Sequence, residues 1–94
     1  MTIKERDIER YLVAQCKKHG VFCRKWVSVN SRGVPDRIIL YNGEWAAVEL
    51  KRPGGKLTKL QEVEHRAIRK AGGYVFVLDS KDGVDEFIAY ILQA

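Results

Sequence analysis

The spacing of apolar residues changes period several times along the chain, and each change predicts an element. Ile8, Leu12 and Cys16 recur at helical spacing, with Gly20 placed where a glycine stops a helix. Thr2-Ile3-Lys4-Glu5 ahead of them fits a capping box. The β-prone run 21–29 predicts a first strand, and Asn30-Ser31-Arg32-Gly33 has turn chemistry. Pro35 lacks an N–H but suits the entry to a strand over 37–41. Asn42-Gly43 between two β-rich runs is a strong hairpin signal, usually a two-residue type I′ turn. After the second hairpin strand, Arg52-Pro53-Gly54-Gly55-Lys56 reads as a flexible connection, and Thr58-Lys59-Leu60-Gln61 as the capping box of another helix. That helix runs through Val63, Ile68 and Ala71 to Gly72-Gly73. The continuous apolar run 74–78 predicts a strand buried on both faces. Ser80 or Asp82 caps a last helix striped by Val84, Phe87, Ile88, Ile91 and Leu92, the last two completing a core or dressing a dimer surface.

The hairpin carries the first chemical consequence. With Asn42 and Gly43 as the loop, Tyr41 pairs with Glu44, and stepping outward sets Asp36 opposite Glu49. Directly opposed residues have Cβ atoms roughly 5 Å apart. Lys51 follows Glu49 by two residues and so shares its face. Like charges facing each other destabilise a sheet. Lys51, a divalent cation or a raised carboxylate pKa would each offset that repulsion. A hard cation such as Mg²⁺ takes one or two carboxylates together with water and substrate phosphate. Behind Asp36 on the same face, Ile38 and Leu40 face Ala47 and Trp45, an apolar surface that needs helices over it.

Composition narrows the class. With 46% apolar and 31% charged residues in 94, the sequence suits one folded domain over 1–94 and excludes intrinsic disorder. No apolar run approaches the ~20 residues of a membrane span, and no signal-peptide core follows Met1. A cytoplasmic protein is therefore expected. Cys16 and Cys23 form no Cys-x-x-Cys pair and read as small apolar residues in a reducing compartment. His19 and His65, with no second ligand at metal spacing, read as surface histidines. The net charge of +5 is concentrated in residues 21–60, which carry eight bases against three acids. A basic band around an acidic cluster suits a phosphodiester substrate with a cation. The Gly-Gly loop is too short for a phosphate-binding Walker loop.

Gly33-Val34-Pro35-Asp36, Glu49-Leu50-Lys51 with the following Arg-Pro-Gly-Gly-Lys-Leu-Thr, and Gln61 on the next helix resemble the PD-(D/E)xK nuclease superfamily. More narrowly they resemble its VRR-NUC (virus-type replication-repair nuclease) family, over nearly the whole chain. The resemblance implies an α/β fold with a mixed β-sheet flanked by helices, and the order α-β-β-β-α-β-α matches it. It also implies a Mg²⁺- or Mn²⁺-dependent endonuclease, with Asp36, Glu49, Lys51 and Gln61 catalytic. Asp36, Glu49 and the Leu50 carbonyl would hold metal. The superfamily often adds an acid from the first helix. At about 100° per residue, Glu5 and Glu9 lie within roughly 40° of the centre of the apolar stripe. Glu5 is explained by the capping box, which leaves Glu9 as the expected ligand. Gln61 has both a capping and an active-site reading.

Single-domain members of this family are associated with branched DNA, and some resemble homodimeric four-way (Holliday) junction resolvases. Arg24, Lys25, Arg32, Arg37, Arg52, Lys56 and Lys59 are the expected phosphate contacts. The alternatives are a catalytically silent DNA-binding module that keeps the fold, and a protein-interaction domain with a basic face.

Overall fold

The computed structural model describes residues 2–93. Its elements follow the predicted order: α1 (Glu5–Lys18), β1 (Phe22–Lys25), β2 (Arg37–Tyr41), β3 (Glu44–Leu50), α2 (Lys59–Lys70), β4 (Val75–Leu78) and α3 (Lys81–Leu92). The four strands form one sheet in the order β1-β2-β3-β4. The first three are antiparallel and β4 runs parallel to β3, so the sheet is mixed. Asn42 and Gly43 take φ of 52° and 80°, the left-handed backbone a type I′ turn requires. The resulting register, Tyr41 with Glu44 through Arg37 with Val48, is the one the turn predicts.

Alternation along the strands divides the sheet into two unlike faces. Ile39, Val48, Leu50 and Leu78 point to the side covered by α1 and α3. There they form one core with Ile8, Leu12, Cys16, Val84, Phe87, Ile88 and Ile91. Ile91 is buried and Leu92 packs against this core, which places both inside the fold. Phe76 stacks against Phe87 with centroids 5.0 Å apart, and the Tyr11 hydroxyl donates to Asp85 at 2.7 Å, tying α1 to α3. Cys16 is buried, and Cys23 packs on the core beside it. The hydrogen bond between the two thiols lowers Cys23 to about 7, helped by Arg37 and Arg24.

The opposite face carries Glu49 and Ala47 under α2, and its cover is incomplete. Phe22, Leu40, Trp45 and Val77 remain 40–48% exposed. This corrects the expectation that 74–78 is buried on both sides: β4 is an edge strand, and Val77 on its second face is exposed. Two further differences have local causes. The first strand ends at Lys25, because its partner β2 begins only at Arg37, and Val27 and Val29 are left 75% and 97% exposed. The capping box of α1 is built two residues later than Thr2 and Glu5 predict. Lys4 is the N-cap, and its N–H donates to Asp7 Oδ2 at 2.8 Å, which releases Glu5 from any capping role. Ser80 caps α3, accepting from the Gly83 N–H at 2.9 Å.

Candidate active site

Asp36 enters the site through the turn before β2. The Trp26 N–H donates to its carbonyl, and its Oδ2 accepts from the Leu50 N–H at 2.7 Å. That bond lies one step beyond the last ladder pair, and the Asp36 carboxylate meets Glu49, the neighbour that the register predicts. Glu49 is 1% exposed. Burial pushes its pKa up to about 8, and the hydrogen bond and negative charge of Asp36 push in the same direction. Lys51 lies half-buried on the same face and opposes the shift. Its own backbone N–H is fixed to the Leu78 carbonyl at 3.0 Å.

Helix α2 supplies the roof. Thr58 and Gln61 form the capping box: the Gln61 N–H donates to Thr58 Oγ1, and the Thr58 N–H donates to Gln61 Oε1 at 2.9 Å. Because a backbone N–H needs an acceptor, this bond identifies the amide oxygen. It leaves Nε2 to donate to Glu49 Oε2 at 3.3 Å. Gln61 therefore caps the helix and reaches Glu49 at the same time. One turn later, His65 Nε2 meets Glu49 Oε1 at 3.0 Å. The expectation of a surface histidine is corrected: His65 is 1% exposed and is the buried residue of α2. Burial holds its pKa below the usual value, with the charges of Arg69 and Lys51 acting in the same direction.

Gly33 sets the height of this roof. Its φ is +84°, and a Cβ there would lie 2.6 Å from the carbonyl carbon and oxygen of Leu60 and 2.9 Å from the Gln61 nitrogen. Gly33→Ala is expected to lose at least about 1–3 kcal/mol from the disfavoured backbone alone, measured by urea unfolding. It should also displace Gln61 from Glu49.

The two candidate acids of α1 have different surroundings. Glu9 Oε2 accepts from Arg37 Nε at 2.9 Å, so the expected metal ligand and an expected phosphate contact are paired with each other. Glu5, one turn earlier, is the α1 carboxylate coupled to the cluster. Burial raises its pKa first, then the charge of Asp36, and Lys51 pulls it back. The remaining bases predicted at phosphates, Arg24, Lys25, Arg32, Arg52, Lys56 and Lys59, are exposed. Arg24 lies over the Phe22 ring at 4.2 Å. The loop carrying Arg52 and Lys56 is closed by a Gly55 N–H to Arg52 carbonyl bond of 2.8 Å. An aromatic-lined cavity, with Tyr41, Trp45, Tyr74, Phe76 and Tyr90, lies at the hairpin tip, away from this chemistry.

Among the described residues, no three His, Cys, Asp or Glu side chains converge as a metal cage. The donors present are two opposed carboxylates, the adjacent Leu50 carbonyl and the nearby Glu5. Such a set suits a hard cation that keeps water and phosphate oxygens in its shell. A buried carboxylate raised to about 8 beside a second carboxylate is short of positive charge, which a cation would supply.

The same shift gives a pH prediction. The folded protein retains a proton on Glu49 that the unfolded chain releases near 4.5, so stability falls as pH rises from about 4.5 towards 8. His65, whose folded value is depressed, acts in the opposite direction below its ordinary 6.5. Between pH 6.5 and 8 the Glu49 slope therefore remains in metal-free protein, opposed above about 7 by Cys23, whose folded value is lowered. Thermal melts across that window should show it, and Glu49→Gln should flatten it.

No family model matches the chain. A protein named "Putative nuclease p44" from Acyrthosiphon pisum secondary endosymbiont phage 1 is 46% identical over 81 residues, spanning 85% of this chain and 87% of that protein. A solved structure of a VRR_NUC domain superposes with a TM-score of 0.83 at 31% identity, over 92% of this chain and 95% of that one. Fold and relatives together define a nuclease. The chain belongs to the VRR-NUC family. No helix among the described residues is long and apolar enough to cross a membrane.

Proposed function

We propose that the chain, as one nuclease domain over 1–94, is a divalent-metal-dependent endodeoxyribonuclease selective for branched DNA such as four-way junctions. The observation that carries the reading is the buried Glu49 facing Asp36 with Lys51 beside it. This arrangement is costly without a cation and suited to phosphodiester hydrolysis with one. Asp36, Glu49 and the Leu50 carbonyl would hold Mg²⁺ or Mn²⁺, with Glu5 taking the place first expected of Glu9. A bound cation supplies positive charge to a non-bridging phosphate oxygen and lowers the pKa of the attacking water.

The side chains do the rest. Lys51 orients that water, helps remove its proton, or stabilises charge developing on the phosphorus oxygens. Gln61, fixed by its cap, presents an amide beside Glu49 that can hold water or a phosphate oxygen. Arg24, Lys25, Arg32, Arg52, Lys56 and Lys59 position the backbone and read no sequence. The exposed apolar strip of Phe22, Leu40 and Trp45 supports a homodimer, whose two sites paired nicks across a junction require. A cytoplasmic location in a bacterial or virus-infected cell fits such a substrate.

A catalytically silent DNA-binding module is the second reading, and the intact Asp36, Glu49 and Lys51 speak against it. The substrate test compares labelled four-way junction with linear duplex of the same sequence. Cleavage at the junction at least about tenfold faster, in symmetric paired nicks, is expected; preferential cutting of duplex contradicts the branched-DNA reading.

A further inference from the structure

We infer that His65 is a positioning residue of this site: a neutral Nε2–H donor that fixes Glu49 in the orientation from which it binds a divalent cation. The inference rests on the metal-dependent reading above, and three observations carry it. His65 is 1% exposed and meets the Glu49 Oε1 atom at 3.0 Å. Gln61 donates to the other oxygen, so both carboxylate oxygens take a donor from positions one turn apart on α2. Finally, His65 Nδ1 is buried with no hydrogen-bond partner among the described residues.

The third observation selects the tautomer. With the proton on Nε2, the ring donates to the carboxylate and leaves only an acceptor unpaired. With the proton on Nδ1, a buried N–H would be orphaned and, in the ionised Glu49 that binds a cation, Nε2 would set its lone pair against Oε1. The second arrangement wastes a donor where one is needed. A core-filling role does not require this chemistry. Leucine would fill similar space but leave a buried carboxylate oxygen without its donor. A carboxylate that ligates metal is ordinarily held by such hydrogen bonds, and losing one costs about 10–100-fold in metal affinity. The rigid capped turn of α2, with Gly33 beneath it, supplies the leverage: it holds Gln61 and His65 in fixed relation to the end of β3.

The test measures Mn²⁺ binding by electron paramagnetic resonance in wild type, His65→Leu and His65→Gln, each checked for folding by circular dichroism. His65→Leu is expected to weaken binding about 10–100-fold, and His65→Gln, which keeps an N–H donor, to recover most of it. Unchanged binding in folded His65→Leu overturns the inference while the metal-nuclease reading stands. Wild type that binds no Mn²⁺ and cuts no DNA overturns that reading itself. Should His65→Leu fail to fold, imidazole ¹⁵N spectra of the wild type decide. A neutral Nε2–H ring whose resonances move on adding Mg²⁺ supports the role; an Nδ1–H ring, or no response to Mg²⁺, overturns it.

Discussion

Asp36→Ala is expected to abolish DNA cleavage and divalent-metal binding together. Asp36 has two functions that the substitution removes at once. Its Oδ2 accepts from the Leu50 N–H at 2.7 Å, which holds the end of β3, and its charge opposes that of Glu49. Without it Glu49, the Leu50 carbonyl and Glu5 remain, and a cation on that reduced set would hold mostly water. Charge stabilisation by a metal is worth several kcal/mol, so the expected fall in rate is about a thousandfold or more. Asp36→Asn separates the two functions. It keeps an acceptor for Leu50 and should fold as wild type, yet lose metal as fully as alanine does. Calorimetric titration with Mn²⁺ beside single-turnover cleavage checks both variants. Metal binding that survives in Asp36→Asn would remove Asp36 from the ligand set.

Lys51→Ala is expected to show the complementary pattern: metal binding retained and turnover reduced by about 10²–10³-fold, the usual cost of losing one charge-stabilising donor. Lys51 is aligned with Glu49 by strand alternation, and its backbone is anchored to β4 through the Leu78 carbonyl. The variant loses the side chain beyond Cβ, ammonium included, and keeps that backbone bond. The loss should appear in the chemical step, measured under single turnover, with DNA affinity little changed. A comparable loss of metal or DNA binding would instead make Lys51 a structural counter-charge to Glu49.

The hairpin was legible because a two-residue turn leaves one register, and that register alone brings Asp36 to Glu49. The cap of Gln61 was legible in the sequence, and the same bond frees the other end of its amide for Glu49. What could not be read depends on how elements pack across the chain. His65 sits four residues after Gln61 in a sequence of polar neighbours, and its burial comes from α2 lying over the end of β3. The spacing from Gln61 was the one available signal. Glu9 and Glu5 share a helix face, and the Thr2–Glu5 cap that set Glu5 aside is not the one that forms. The competing bond from the Lys4 N–H to Asp7 frees Glu5, while Arg37 occupies Glu9. Likewise the β-prone residues Val27 and Val29 have no strand to pair with, because β2 starts after Pro35. Propensity cannot supply a missing partner.

The most direct measurement is cleavage of an end-labelled four-way junction by the wild-type protein in Mg²⁺, in Mn²⁺ and in EDTA. Cutting in either metal that stops in EDTA and returns when metal is restored is the predicted result. Binding of the junction without cutting in either metal would contradict the account and identify the chain as a silent DNA-binding member of its family.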